Sequence, residues 1–115
     1  MIPKIVLAAA PAPATLLDGT RSRAAESDLL IRVISMGQAH QAVPGTGAMC
    51  LAAAVQVPGS IPAVLAGSLG GEAIRLGTPS GSVSAAAHFD SAGKLERTSL
   101  LRTARVLMKG FVQLP

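Results

Sequence analysis

The chain has 115 residues and a mass of 11.5 kDa, room for one domain and no second self-sufficient core. Half of its residues are hydrophobic and mean hydropathy is +0.50, which excludes a disordered polymer; with 21 Ala, two Phe and neither Trp nor Tyr, the core must be built from small aliphatic side chains. The formal charge is +4, and without aromatic rings to stack on bases it argues against a nucleic-acid partner.

Residues 3–10 are an apolar run closed by Pro11 and Pro13, the pattern of a strand passing into an extended loop. Lys4 ahead of that run has the outline of a secretory leader, but the prolines cut it short of the ~7–15 apolar residues a leader needs. Residues 15–28 hold Asp18, Gly19, Arg21, Arg23, Glu26 and Asp28 and read as a surface loop or short helix. Residues 29–35 are a β-branched strand containing Arg32, so one of its faces meets water, another domain or a ligand. Residues 37–44 read as a polar connector.

Residues 48–57, Ala-Met-Cys-Leu-Ala-Ala-Ala-Val-Gln-Val, form the clearest element, a strong helix former stopped by Pro58 and Gly59. Apart from Gln56 it is apolar all round, which predicts a helix enclosed along its whole length. Residues 60–69 read as a short helix or loop, and Gly70 and Gly71 break the chain. Four strands are expected after that break, over residues 72–76, 82–89, 95–101 and 104–112. Val83, Ala85, Ala87 and Phe89 alternate with Ser82, Ser84 and His88, as in a half-buried strand, and residues 90–93 read as a hairpin loop. His88, on the serine face, reads as structural. The sum is an α+β fold spanning residues 1–115 as a single domain: a curved mixed β-sheet or partial barrel around one buried central helix.

Residues 33–71 lack Asp, Glu, Lys and Arg, but Pro44, Pro58 and Pro62 cut them into pieces below the ~20 apolar residues of a membrane span. No membrane partner is expected. The single cysteine, Cys50, excludes an internal disulfide and fits a reducing cytoplasm. Lying in the apolar helix with no cation nearby, it reads as a small hydrophobe rather than a nucleophile. Lys94, Arg97, Arg102, Arg105 and Lys109 gather near the end against Glu96 alone, the signature of a solvated strand face.

Two segments carry chemistry. Gly45-Thr46-Gly47 opens the central helix, where free backbone N–H groups and the positive end of the helix dipole suit a carboxylate or phosphate; the same triplet also reads as a glycine-rich helix start capped by Thr46. Gly77-Thr78-Pro79-Ser80-Gly81 is either a rigid turn presenting the Ser80 hydroxyl to a ligand or an ordinary turn between strands. His40, five residues before the triplet, could donate a hydrogen bond or move a proton. Paired carboxylates, a metal-ligand cluster and a Ser/His/Asp triad cannot be assembled from these acids and histidines.

An ordered series of segments resembles the C-terminal half of the PrpF-type isomerases, relatives of diaminopimelate epimerase that include methylaconitate isomerase and 4-oxalomesaconate tautomerase. It comprises Pro3-Lys4-Ile5, Ile31-Arg32-Val33-Ile34-Ser35-Met36-Gly37 with His40, Gly45-Thr46-Gly47-Ala48, Ala52-Ala53-Ala54, Pro58-Gly59, Leu76-Gly77-Thr78-Pro79-Ser80-Gly81 and residues 102–110. The resemblance implies two similar domains, each a curved sheet around one helix, with the site between them. It implies proton movement next to a carboxylate in an unsaturated di- or tricarboxylic acid such as an aconitate, methylaconitate or oxalomesaconate, with no cofactor and no metal. Gly45, Thr46 and Gly47 would stabilise the developing negative charge, with Ser80, Gly81, Ser35, Met36 and His40 completing the substrate-binding set. Catalytic residues are not expected in this chain, because the half that normally supplies an acid/base cysteine or lysine lies outside it. Its expected partners are therefore a polycarboxylate and the N-terminal half of the fold or a second copy; the alternative is a non-catalytic remnant or partner-binding half-domain that binds anions weakly. Pro44 stands where the related amino-acid epimerases carry a catalytic cysteine, and Gln38 stands where a lysine is common.

Overall fold

Strand pairing follows the apolar alternation. A computed structural model describes residues 3–114. In chain order the elements are β1 (Ile5–Ala9), β2 (Ala14–Thr15), β3 (Arg21–Ser22), a 3₁₀ turn (Ala24–Glu26), β4 (Leu29–Ser35), β5 (Gln38–His40), α1 (Gly45–Ala54), α2 (Ile61–Ala66), β6 (Ala73–Thr78), β7 (Gly81–Phe89) and β8 (Leu95–Leu100). The main sheet is mixed, in the order β1-β4-β6-β7-β8, with β5 also on β4. All pairs are antiparallel except β4 with β6, which run parallel through Leu29 opposite Leu76 and Leu30 opposite Gly77. β2 and β3 form a separate two-stranded ribbon, where the sequence suggested a loop or short helix.

The core lies on one face of this sheet. Leu29, Ile31, Ile74 and Leu76 are its largest fully buried side chains, from the two strands that meet in parallel. α1 crosses β7 and β8, and Ala48 and Ala52 of the helix are buried in one cluster with Ala85 and Ala87 of β7. The alanine-rich composition thus has a packing purpose, because small side chains let the helix sit close to the sheet. Gln56, just past the helix, turns its amide to the sheet and donates to the Ala87 carbonyl at 2.7 Å.

Two close approaches require glycine. A Cβ at Gly77 would meet Leu30 Cδ2 at 2.6 Å and Ser27 at 3.1 Å, so β6 can reach β4 only without a side chain there. Gly81 has φ +113° and closes the β6–β7 turn, where the buried Thr78 hydroxyl donates to the Gly81 carbonyl at 2.8 Å. Beside these strands, Asp28 accepts from the Arg75 backbone N–H at 2.7 Å and from its guanidinium at 2.6 Å. That guanidinium holds the Asp28 carboxyl below the usual carboxylate range.

Three expectations are corrected. The helix spans Gly45–Ala54, beginning and ending three residues before the expected 48–57, and it is not enclosed along its length. Ala48, Leu51, Ala52 and Val55 are buried at i, i+3, i+4 and i+7 spacing, whereas Thr46 and Cys50 are exposed. One sheet in a chain of this size covers one side of a helix and cannot wrap it. The connector after β4 contains β5, joined by the tight turn at Met36 and Gly37, both at positive φ (53° and 74°). Finally, residues 104–112 form no strand: residues 101–114 are exposed throughout, since alternation without a neighbouring sheet edge leaves the backbone donors and acceptors nothing to pair with. His88 proves structural, its Nδ1 paired with the Glu72 carboxylate on the outer face of β7.

Candidate functional site

The start of α1 has free donors because of what precedes it. Pro44 occupies the N-cap position and supplies no side-chain hydrogen bond, and Thr46 lies inside the first turn, so it does not act as the cap. The first helical bond is made by Ala48 N–H to the Pro44 carbonyl, 3.0 Å. The N–H groups of Gly45, Thr46 and Gly47 therefore find no acceptor among the described residues. They sit at the positive end of a ten-residue helix.

These donors stand beside a cleft of about 540 Å³ lined by residues 43–45, 82–84 and 100–103. Its origin is a local failure of pairing. β8 follows β7 as far as Leu100 opposite Ala85, and Leu101 still donates to the Ser84 carbonyl at 3.0 Å. Beyond that the chain leaves the sheet, which leaves the exposed β7 edge at Ser82 without a β8 partner. Leu100 fixes the distance on the other side: a Cβ at Gly45 would meet Leu100 Cδ2 at 3.2 Å. Arg102 also lines the cleft, and of the triplet Gly45 alone does, Thr46 and Gly47 lying outside the lining; one helix-start residue and one arginine therefore border the same cavity.

The other expected site residues lie elsewhere. Ser80 donates from its hydroxyl and its N–H to the Gln41 carbonyl, at 2.9 and 3.2 Å, tying the β6–β7 turn to the end of β5. It borders a smaller cavity with Leu16, Leu17, Asp18 and Pro79. Gly81 serves the same turn, Ser35 and Met36 form the β4–β5 hairpin tip, and His40 pairs through its backbone opposite Val33 with its side chain exposed. None of these five lines the α1 cleft. Conversely, sequence reasoning gave no site role to Ser82, Ser84, Arg102 or Thr103. Arg102 and Thr103 belonged to a recognisable segment, but only the departure of the chain from β7 puts them beside the helix. The cleft lining contains no His, Cys, Asp, Glu or Lys.

Comparison with known proteins assigns the architecture. The model of the family described as PrpF protein matches residues 1–115. The chain belongs to the PrpF family. It is 36% identical to a 2-methyl-aconitate isomerase of Shewanella oneidensis over 98% of its own length and 29% of the relative's. It is 34% identical to a 3-methylitaconate isomerase of Eubacterium barkeri over 74% of the chain and 22% of the relative. The crystal structure of a methylitaconate-delta-isomerase superposes with a TM-score of 0.80 at 27% identity, covering 96% of this chain and 29% of that one. The fold is thus the diaminopimelate epimerase-like α+β fold of these isomerases. This PrpF chain spans less than a third of the length of the relatives it matches. Among the described residues no helix is long and apolar enough to cross a membrane.

Proposed function

We propose that this PrpF domain is the anion-holding half of a cofactor-independent isomerase or tautomerase that moves a proton and a double bond in an unsaturated di- or tricarboxylate of the aconitate, methylaconitate or oxalomesaconate type. The observation that carries the reading is the set of three unpaired N–H groups at Gly45, Thr46 and Gly47, the first of which borders a cleft also lined by Arg102. Removing a proton next to a carboxylate pushes negative charge onto the carboxylate oxygens, and fixed N–H donors aimed at that charge lower the barrier. A substrate carboxylate at the α1 start would meet those donors, with Arg102 holding a second carboxylate. Proton removal also needs a base within hydrogen-bond reach, and the cleft lining supplies none. The base would come from the part of the fold outside this chain, in line with the chain's 29% share of the Shewanella relative.

Titration with trans-aconitate, followed by amide NMR, tests the binding step. Shifts are expected at Gly45, Thr46 and Gly47; shifts confined to residues 94–109 would show a diffuse basic surface and overturn the site. For the reaction, the chain alone should isomerise no aconitate-type substrate. Co-expression with the remainder of the Shewanella relative, its matched segment removed, should restore turnover. Turnover by the chain alone would point to a base within it, His40 first. A complex that forms, binds the anion and remains inactive would favour the non-catalytic half-domain.

A further inference from the structure

The turn between β2 and β3 places a chemically reactive pair at the surface. An aspartyl side chain reacts with its own main chain when the next residue leaves the amide nitrogen open to it, and glycine leaves that nitrogen most open. The chain has three aspartates and no asparagine, and only Asp18 precedes a glycine. Asp18 and Gly19 are both exposed. Gly19 has φ +82°, and the space around it is empty within 4 Å of where a Cβ would stand. Asp28 is followed instead by Leu29, fully buried at the start of β4, and Asp90 by Ser91, whose side chain crowds the same approach. Two contacts restrain the Asp18 pair. One oxygen of its carboxylate accepts from the Thr20 hydroxyl at 2.6 Å and from the Thr20 N–H at 2.9 Å. These bonds hold the carboxyl below the usual carboxylate range. The Gly19 N–H in turn donates to the Leu16 carbonyl at 3.0 Å.

We propose that Asp18-Gly19 is a spontaneous modification site, where an isoaspartyl linkage forms through a succinimide whenever the turn opens, and that the Thr20 contacts on Asp18 hold the reaction back. The step needs water alone. The Gly19 nitrogen attacks Cγ of the protonated carboxyl; a C–N bond forms as the nitrogen loses its proton and the carboxyl its hydroxyl, together one water. Water then adds to the main-chain carbonyl of Asp18 in the ring and breaks the original peptide bond. Gly19 is left joined to Cγ, beside a free main-chain carboxylate. Addition at Cγ instead restores the aspartate. A carboxylate anion is a poor acceptor for the nitrogen, and an amide bonded to Leu16 is poorly placed to attack, so each contact opposes the step. The product adds a methylene to the main chain of a ribbon held by only two residue pairs, Ala14 with Ser22 and Thr15 with Arg21. It would also displace Leu17, whose N–H donates to the Pro79 carbonyl at 2.9 Å, next to the Ser80 hydroxyl that holds Gln41.

Asp18 lies outside the α1 cleft, so the readout is the linkage itself rather than turnover. The full chain is incubated at pH 6, either folded or unfolded in guanidinium, and then digested with trypsin, which releases residues 5–21 as one peptide. Its aspartyl and isoaspartyl forms have equal mass, separate by chromatography and are told apart by their fragment ions. In the unfolded chain isoaspartate should gather first at residue 18, and the folded chain should form it at least ~10-fold more slowly. Thr20→Val deletes the hydroxyl and keeps the N–H; with the parent's melting curve, its folded form should convert ~3-fold faster or more, at an unchanged unfolded rate. Thr20→Ser should return the folded rate to the parent value. Equal rates in the folded and unfolded parent overturn the proposal, whatever the variants do. A folded Thr20→Val chain that keeps the parent's slow rate overturns the role given to Thr20, and first accumulation at Asp28 or Asp90 overturns the site.

Discussion

β7 and the segment at residues 104–112 are nine residues each, both rich in small and aliphatic side chains at alternate positions, and they end in opposite states. β7 lies between β6 and β8 with Ala85 and Ala87 under the helix, whereas the later segment is exposed along its full length. Alternation records a capacity to lie in a sheet. Burial depends on a neighbour with matching edge and face, and β7 has two while residues 104–112 have none among the described residues.

The largest contrast should come from one charge placed on each side of that divide. Leu51→Asp puts an unpaired carboxylate between α1 and the sheet, at a cost of roughly 3–5 kcal/mol, enough to abolish cooperative melting in a core this small. Val106→Asp should leave the melting curve within about 0.5 kcal/mol of the parent. Equal losses would show that residues 104–112 pack within the chain and would erase the contrast. Gly77→Ala comes next: its methyl meets Leu30 at 2.6 Å, and the forced separation of β4 from β6 should cost about 1–3 kcal/mol in denaturant unfolding. Wild-type stability in that variant would mean the parallel contact is looser than its geometry.

Smaller effects probe the edges of the packed half. Met36→Asn places a residue tolerant of positive φ at the first position of the β4–β5 turn, with Gly37 already at the second, and should stabilise by about 0.5–1 kcal/mol. A loss of stability would show that the exposed Met36 side chain has a contact partner. The smallest is the pH response of Asp28. Its carboxyl is held below its ordinary value by Arg75, so the folded state binds its proton later than the unfolded chain. The pair's contribution is therefore present above about pH 4 and fades as pH falls through the lowered value. Asp28→Asn should be less stable than the parent at pH 6, with a gap that narrows below about pH 4. A gap independent of pH would assign the effect to the hydrogen bonds of the side chain rather than its charge.

The sequence by itself determined most of the strands with strong local patterns, the presence of one apolar helix ahead of Pro58, and a glycine-rich opening of that helix at Gly45, Thr46 and Gly47. Period, breaker residues and free N–H groups are local properties, legible without a neighbour. It also carried enough ordered segments to indicate the family. The helix start was less legible because Gly45 and Gly47 lower local propensity, and the packing of α1 on β7 and β8 overrides it. β5 escaped because Gln38-Ala39-His40 has no alternation and is a strand only through β4. Tertiary structure alone decided which side of α1 is covered, that Ser80 spends its hydroxyl on Gln41, and that Arg102 lines the same cleft as Gly45 while residues 104–114 are exposed. Each of these depends on where a second segment, distant in sequence, offers a surface or a hydrogen-bond partner, and composition and periodicity hold no record of that.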